Sequence, residues 1–361
     1  MADRLNVVAV IGTVGLPPVY GGFETLTAQM VTHLQGQGEF LVYCSSKSYP
    51  VRLADYQGAK LVYIPLKANG IQSIPYDILS IMHAIRSSDV LLILGVSGCI
   101  ILPFVRPFSK KKIIAHIDGL EWKRAKWNAF AKVFLRFSEK MAVRYADEVI
   151  SDNAAIQNYV TQIYGRKSHL IAYGGDHAQR NSEIKAYLAE YPFLAKPYAF
   201  GICRIEPENN VHLILEAFAT GSPMPFVMVG NWNNSEYGRN LKVTYGPQTG
   251  ITLIDAIYDQ QRLDALRSNC TCYIHGHSAG GTNPSLVEAM WLGLPIIAFD
   301  VDYNRETTGN KALYYSTVGE LCKIMATVEK CDLKGLGDTM HAIADDRYRW
   351  SKISQQYASL F

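Results

Sequence analysis

A loop that leads into a predicted helix in the second half of the sequence contains residues suited to bind a phosphate. The segment GGTN, residues 280–283, comes directly before Pro284, and proline is common in the first turn of a helix. Unpaired backbone amides and the helix dipole attract anions at such a start, and glycines let a phosphate approach the backbone closely. The alternative is an ordinary helix start that Asn283 caps.

Glu288 lies one turn inside the same predicted helix, residues 284–292. A carboxylate at this position would repel a phosphate, so it must serve another purpose. It can accept hydrogen bonds from paired hydroxyls such as those of a ribose. The loop and Glu288 together therefore indicate a nucleotide site, with the phosphates at the helix start and the ribose near the acid.

The elements that must position these residues are short apolar runs that alternate with helix-period segments. Strands are expected near residues 7–11, 40–44, 60–64, 90–94, 112–115, 148–150 and 169–171. A stretch rich in glycine, charge and proline interrupts the pattern, and more strands follow at the segment YAFGICRI and at 226–229, 251–254, 272–274 and 296–299. The pattern predicts an α/β protein of two Rossmann-like, doubly wound domains, with a ligand cleft at the carboxyl ends of the strands.

Composition and charge exclude several classes of protein. The chain has 361 residues, of which 48% are hydrophobic and 19% charged, so it is long enough for two domains with their own cores. A net charge of only +3 argues against a nucleic-acid partner. Seven cysteines without a C-x-x-C motif favour a reducing compartment, and there is neither a signal-peptide pattern nor an apolar run long enough to span a bilayer. We therefore expect a cytoplasmic protein.

The segment GGTNPSLVEAMWLGLPIIA, residues 280–298, resembles the nucleotide-sugar site of retaining glycosyltransferases of family four. That family has an acid, seven residues, a second acid, then A-M and G-x-P-V/I-I-A, and the matching residues here are Glu288, Ala289, Met290, Gly293, Pro295 and Ile297. The resemblance implies the GT-B fold, in which two Rossmann-like domains face each other across a cleft, and it assigns the donor ribose to Glu288. The first acid, which contacts the donor sugar in the family, would fall at Gly280 and is absent.

A second segment, GICRIEPENN, resembles the family's strand and loop that bind the donor diphosphate. The family's arginine matches Arg204, but the lysine expected five residues later is Asn209. The phosphate charge would then be met by fewer side chains, unless Arg239 or Lys242 compensates.

The resemblance also assigns roles to the two domains. Residues 1–175 would form the acceptor-side domain, and the pair Gly21 and Gly22 would open a helix that faces the donor phosphate and the acceptor. A flexible loop before a helix gives the same pattern. Residues 196–340 would form the nucleotide-sugar-binding domain, and residues 341–361 a helix that packs back on the first domain.

A narrower resemblance rests on the combination of GTVGLPPVYGGFET, DGLEWKRAKW, RIEPENN, GNWNNSEYG and HSAGGTNPSLVEAM. Together these segments are similar to bacterial rhamnosyltransferases of polysaccharide assembly. This implies transfer of L-rhamnose from dTDP-L-rhamnose, without a further cofactor, to a saccharide linked to polyprenyl pyrophosphate. The alternatives are a hexosyltransferase that uses a UDP- or GDP-sugar, a nucleotide-sugar epimerase of GT-B fold, and a non-catalytic binding protein.

The candidate site residues follow from these patterns and resemblances. His116 and Asp118 come after a predicted strand and would contact the sugar or the acceptor. With Arg204 they are the candidate catalytic residues. The alternative for His116 is a buried, structural histidine. No metal site is expected, because the D-V-D at 300–302 comes late in the second domain and the Cys and His of 270–277 lack zinc spacing. The candidate donor-binding residues are Gly21, Gly22, Arg204, Asn209, Ile257, His277, Gly280, Gly281, Thr282, Asn283, Ser285 and Glu288.

One segment of the first domain is strongly basic. Residues 106–148 contain eleven Lys or Arg and five Asp or Glu, so the segment carries +6 (11 − 5) and the rest of the chain −3 (3 − 6). On a helix, basic residues recur every four positions beside apolar ones: Lys132, Arg136, Lys140 and Arg144. Such a surface suits anionic headgroups or a pyrophosphate-linked lipid, although a solvated basic face is the alternative. We expect peripheral contact with the inner face of the cytoplasmic membrane.

Overall fold

The computed structural model describes residues 6–19, 21–123 and 127–361, and it divides the chain into two compact units. The first unit comprises Met1–Tyr173 and Trp350–Phe361, and the second comprises Gly174–Arg349. The stretch between the two expected domains, residues 176–195, therefore belongs to the second unit. Only the last helix, and not all of 341–361, returns to the first unit. Within the described residues no helix is both long and apolar enough to cross a membrane.

The first unit is built on an eight-stranded sheet. Its strands are β1 (Val7–Ile11), β2 (Glu39–Ser45), β3 (Asp55–Tyr56), β4 (Ala59–Ile64), β5 (Val90–Leu94), β6 (Lys112–Ile117), β7 (Glu148–Ser151) and β8 (His169–Leu170). Their order in the sheet is β3-β4-β2-β1-β5-β6-β7-β8, and neighbours are parallel except for β3 and β4. The helices that cross between these strands are α1 (Gly22–His33), α2 (Ser73–Ser87), α3 (Leu102–Val105), α4 (Ala129–Tyr145) and α5 (Ala154–Tyr164).

The second unit has a six-stranded, entirely parallel sheet. Its strands are β9 (Ala199–Ile202), β10 (Phe226–Gly230), β11 (Ile251–Asp255), β12 (Cys272–His275), β13 (Ile296–Phe299) and β14 (Leu313–Tyr315), in the order β11-β10-β9-β12-β13-β14. Its helices are α6 (Val211–Ala219), α7 (Glu236–Tyr245), α8 (Gln260–Ser268), α9 (Pro284–Trp291), α10 (Asp302–Thr307), α11 (Val318–Thr327) and α12 (Leu333–Arg347). The last helix, α13 (Trp350–Ala358), packs against α1 in the first unit.

Continuous apolar runs form the central strands because both faces of each sheet are covered by helices. The run VLLIL of β5 is buried along its whole length, as is FVMVG of β10. In these two strands polar residues are absent, and the loops at the carboxyl ends of the strands carry most of the candidate site residues.

Candidate active site

The glycine-rich loop that follows β12 is fixed to the loop that follows β9. Ser278 donates two hydrogen bonds to the carbonyl of Glu208, from its amide at 2.9 Å and from its hydroxyl at 2.8 Å. The side-chain amide of Asn210 donates to the carbonyl of Gly276 at 3.0 Å. Since β9 and β12 are parallel neighbours, their two loops leave the same edge of the second sheet. The structure thus brings the loop of Arg204 to the glycine-rich loop.

Arg204 lies two residues after the end of β9, is half-buried and makes no ion pair within the described part of the chain. Asn209 is buried, and its side-chain amide donates to the carbonyl of Arg204 at 2.7 Å. Asn209 therefore braces the loop, and its expected contact with the donor stays a prediction. Lys242 pairs with Asp255 at 2.9 Å, and Arg239 donates to a backbone carbonyl at 2.9 Å. Arg204 is thus the cation best placed for a phosphate.

The start of α9 is capped by a side chain. The Oδ1 of Asn283 accepts from the amide of Ser285 at 3.0 Å and from its hydroxyl at 2.8 Å. The hydroxyl of Tyr273 donates to that of Ser285 at 2.9 Å. The capping role of Asn283 is therefore confirmed, and the amide of Ser285 is not available to a phosphate. The helix dipole still favours an anion, but the amides that can bind it are limited to those before Ser285.

Gly280 has a backbone conformation that explains the absence of an acid at this position. Its φ angle is +134°, a region that residues with a Cβ rarely adopt, and a Cβ there would meet no other atom within 4 Å. Backbone strain, and not lack of space, therefore opposes a side chain. Nearby, Thr282 is buried and Gly281 is half-buried.

Glu288 is held by two cationic or hydrogen-bonding side chains. Its Oε1 lies 3.1 Å from the Nε2 of His177, and its Oε2 pairs with the Nη1 of Arg267. The guanidinium of Arg267 is completely buried, and its Nη2 also bonds Oδ1 of Asp264 at 2.9 Å. The side chain of Glu288 itself keeps 14% of its surface exposed.

These contacts fix the charge of Glu288. Burial by itself raises the pKa of the Glu288 carboxyl, but the charge of Arg267 and the hydrogen bond from His177 outweigh burial and lower the pKa to about 2. Burial lowers the pKa of Arg267, whereas Glu288 and Asp264 raise it above its ordinary value. Glu288 is therefore an ionised acceptor in a fixed orientation, as recognition of a ribose diol requires.

The other candidates of the second unit lie around this core. The rings of His275 and His277 stack with centroids 4.4 Å apart, and burial lowers the pKa of His275 to about 3, so it is neutral. Ile257 is half-buried after β11, which β10 separates from β9, so it lies farther from Arg204 than the glycine-rich loop does. Among the described residues, no three His, Cys, Asp or Glu are grouped as metal ligands.

In the first unit, Gly21 caps α1 and Gly22 is the first helical residue. The φ angle of Gly21 is +145°, and a Cβ there would lie 1.8 Å from the carboxylate of Glu24. That carboxylate is buried and accepts from the amide of Val14 at 2.6 Å and the hydroxyl of Thr13 at 3.0 Å. A negative charge thus already occupies the first turn of α1, which weighs against the expected phosphate contact.

His116, at the end of β6, lies completely buried in an aromatic cluster. Its ring centroid is 5.5 Å from Phe23 and 6.1 Å from Tyr357, whose hydroxyl is 3.5 Å from Nδ1. Burial lowers the pKa of His116 to about 3, so the ring is neutral. This position favours the structural alternative for His116. Asp118 is half-buried, and its charge raises the pKa of Tyr173 further after burial has raised it.

Sequence patterns did not reveal the residues that support Glu288. Arg267 and Asp264 lie three positions apart on α8, a spacing that places them on one helix face and is the only sequence signal of their pairing. His177 lies in the stretch that was expected to be a linker. Glu24 lies in the segment GGFET, in the first turn of a helix. Acids are common there because they interact favourably with the helix dipole, so its position did not indicate a special role.

Two family models match the chain. Residues 5–176 match a domain of unknown function (DUF1972), and residues 189–325 match the family described as Glycosyl transferases group 1. A comparison with curated proteins finds no significant match.

Several solved structures share the fold over almost the entire chain. Sucrose-phosphate synthase from Thermosynechococcus elongatus has a TM-score of 0.83 at 15% identity, over 99% of this chain and 98% of that one. Anabaena HepE, solved in complex with UDP-glucose, has a TM-score of 0.77 at 16% identity, over 99% of both chains. A putative UDP-N-acetylglucosamine 2-epimerase from Listeria monocytogenes has 0.63 at 13%, over 98% and 95%. The chain therefore has the fold of GT-B glycosyltransferases, with two Rossmann-like parallel-sheet units, and residues 189–325 of its second unit match the group 1 glycosyltransferase model.

Proposed function

We propose that the protein is a glycosyltransferase that moves a sugar from a nucleotide sugar to an acceptor hydroxyl. The observation that carries the proposal is that the loop of Arg204 is bonded to the loop that leads into α9, the helix of Glu288. Arg204 is a cation with no ion pair among the described residues, and Glu288 is an ionised carboxylate. The diphosphate of a nucleotide binds to a cation such as Arg204, and the hydroxyls of its ribose donate to a carboxylate such as Glu288. The group 1 domain and the likeness to HepE, solved with UDP-glucose, support the same function.

In the proposed reaction, the bond from the anomeric carbon to the diphosphate breaks as the acceptor oxygen bonds to that carbon. The acceptor hydroxyl gives up its proton, and a nucleoside diphosphate leaves. Arg204 and the dipole of α9 stabilise the charge that develops on the diphosphate, and Glu288 fixes the donor through its ribose. Retention of configuration, which the family resemblance implies, requires attack from the face that the diphosphate leaves.

The proposed donor is dTDP-L-rhamnose, and the proposed acceptor is a saccharide linked to polyprenyl pyrophosphate. Both rest on the similarity of five sequence segments to bacterial rhamnosyltransferases. Gly280 carries less weight in this choice than its sequence position suggests, because its φ of +134° is itself a reason for glycine. A Gly280→Glu variant would strain the backbone, so the donor is better tested on the unaltered protein.

We expect the protein to prefer dTDP-L-rhamnose over UDP-glucose by at least about tenfold in kcat/KM, which corresponds to about 1.4 kcal/mol of transition-state discrimination. The measurement is release of nucleoside diphosphate from a panel of dTDP-, UDP- and GDP-sugars in the presence of a synthetic polyprenyl-pyrophosphate saccharide. Turnover of a UDP-hexose without turnover of dTDP-rhamnose would refute the donor and leave the transferase proposal intact.

Transfer is also expected to continue in excess chelator. The positive charge at the donor site is supplied by Arg204 and the helix dipole, so the proposed chemistry uses no divalent ion. The rate is compared before and after chelation and after adding back Mg²⁺ or Mn²⁺. A strict requirement that the added ion restores would move the diphosphate site to Asp300 and Asp302, although Asp300 already pairs with Arg305.

A nucleotide-sugar epimerase is the second candidate, since a putative epimerase shares the fold. An epimerase converts its nucleotide sugar without an acceptor, whereas the proposed transferase needs one. Incubation with each nucleotide sugar alone, followed by analysis of the sugar, distinguishes them. A new epimer of the donor that forms without acceptor would support the epimerase, and binding without any turnover would support a non-catalytic binding protein.

A further inference from the structure

The outer face of α4 exposes large apolar side chains. Phe130 is 83% exposed, Val133 70% and Phe137 50%, and their spacing of three and four residues places them on one side of the helix. The opposite side is anchored in the first unit, where the Ser138 hydroxyl donates to a backbone carbonyl at 2.6 Å and Glu139 is fully buried. The exposed side chains are therefore held in place on a well-packed helix.

A second exposed aromatic pair lies on the neighbouring element. Phe104 is 70% exposed on α3, which packs against α4, and Phe108 is 90% exposed in the turn that follows α3. The sequence has 13 phenylalanines, and all four that are exposed among the described residues lie on α3, on α4 or in the turn after α3. Such a concentration differs from the single exposed apolar residues that are normal on protein surfaces.

Basic residues share the same helix face. The exposed positions of α4 include Arg136, Lys140 and Arg144, and none of the exposed positions from 128 to 144 is acidic. Lys140 and Arg144 make no ion pair in the described part of the chain, and Arg136 lies over the ring of Trp122 at 5.3 Å. We call these three basic residues, with Phe104, Phe108, Phe130, Val133 and Phe137, the aromatic-basic face.

We propose that the aromatic-basic face docks on a membrane that contains anionic phospholipids. The phenyl rings enter the boundary between headgroups and acyl chains, and the cations bind lipid phosphates. A bilayer offers both an apolar layer and negative charge along one surface, which matches the mixture of side chains here. Residues 106–148 carry a net charge of +6 and the rest of the chain carries −3. An anionic membrane surface therefore attracts this segment and not the rest of the chain. Residues 124–126 of this basic segment lie outside the described residues.

The test is co-sedimentation of the full chain with vesicles of phosphatidylcholine, with and without phosphatidylglycerol. We expect binding only to the anionic vesicles. A Phe130→Ser/Phe137→Ser variant is expected to bind at least about tenfold more weakly, because two apolar side chains no longer leave water. An Arg136→Ser/Lys140→Ser/Arg144→Ser variant is expected to bind about 100-fold more weakly, from about fivefold per charge.

Matched controls distinguish membrane binding through this face from nonspecific hydrophobic binding and from an effect of net charge alone. Val133→Ser is compared with Val243→Ser, since the two valines are 70% and 76% exposed on different units. The triple basic variant is compared with one that removes the same charge from exposed lysines of the second unit: Lys323, Lys330 and Lys334. The controls should bind like the unaltered protein. Equal loss in variants and controls, equal binding to neutral vesicles, or binding to polyanions such as RNA but not to vesicles would overturn the proposal.

Discussion

Replacing Arg267 with methionine is expected to lower the free energy of unfolding by about 3–5 kcal/mol, the usual result of removing one partner of a buried ion pair. Arg267 is fully buried between Asp264 and Glu288, so both carboxylates would lose the cation that offsets their burial. Denaturant-induced unfolding of the two proteins measures the difference. The same variant should bind the nucleotide less well, because Glu288 would no longer be fixed.

The control is Arg305→Met, which removes an arginine from a half-exposed pair with Asp300 and should cost much less stability than Arg267→Met. The contribution of Glu288 also depends on pH. Its folded-state pKa of about 2 lies below its ordinary value of 4.5, so the stabilisation is complete above about pH 4.5 and is lost as the pH falls towards 2. An Arg267→Met variant as stable as Arg305→Met would contradict this description of the site.

Replacing Arg204 with alanine is expected to lower kcat by about 100- to 1000-fold, the range seen when one group that stabilises developing charge is removed. Arg204 is the cation of the joined loops that makes no ion pair within the described part of the chain. Steady-state kinetics with the best nucleotide sugar measure the effect, and an unchanged melting temperature shows that the variant is folded.

Arg239→Ala is the matched control for charge. Arg239 belongs to the same unit and donates to a backbone carbonyl, so its removal should change kcat less than about twofold. If both variants keep full activity, the diphosphate is bound elsewhere. If both lose activity equally, the effect reflects the general charge of the unit and not a contact of Arg204.

Much of the fold could be predicted from local patterns. The strands expected with stated bounds all lie within one or two residues of those observed, and β9 lies inside the segment YAFGICRI, because each is a continuous apolar run between loop signals. The helix that starts at Pro284 and its cap at Asn283 also follow from local signals. The strands β3 and β14 were not predicted, since two and three residues are too few to show a period.

The chemistry of the site could not be predicted in the same way, because it depends on pairs that are far apart in the sequence. Arg267 and Glu288 are 21 residues apart, and His116 meets Tyr357 across 241 residues. The φ angle of Gly280 is likewise set by the folded loop. The sequence therefore indicated which residues carry charge but not which of those charges are already paired.

The most direct test of the central claim is to follow both products of one reaction. Purified protein is incubated with the radiolabelled nucleotide sugar that it turns over best and with the lipid-linked saccharide, and the label in the lipid fraction and the nucleoside diphosphate released are measured together. The glycosyl-transfer account predicts equal molar amounts of the two products in the unaltered protein and a large loss of both in Arg204→Ala. Release of nucleoside diphosphate without label in the lipid fraction for every acceptor offered, or no consumption of any nucleotide sugar, would contradict it.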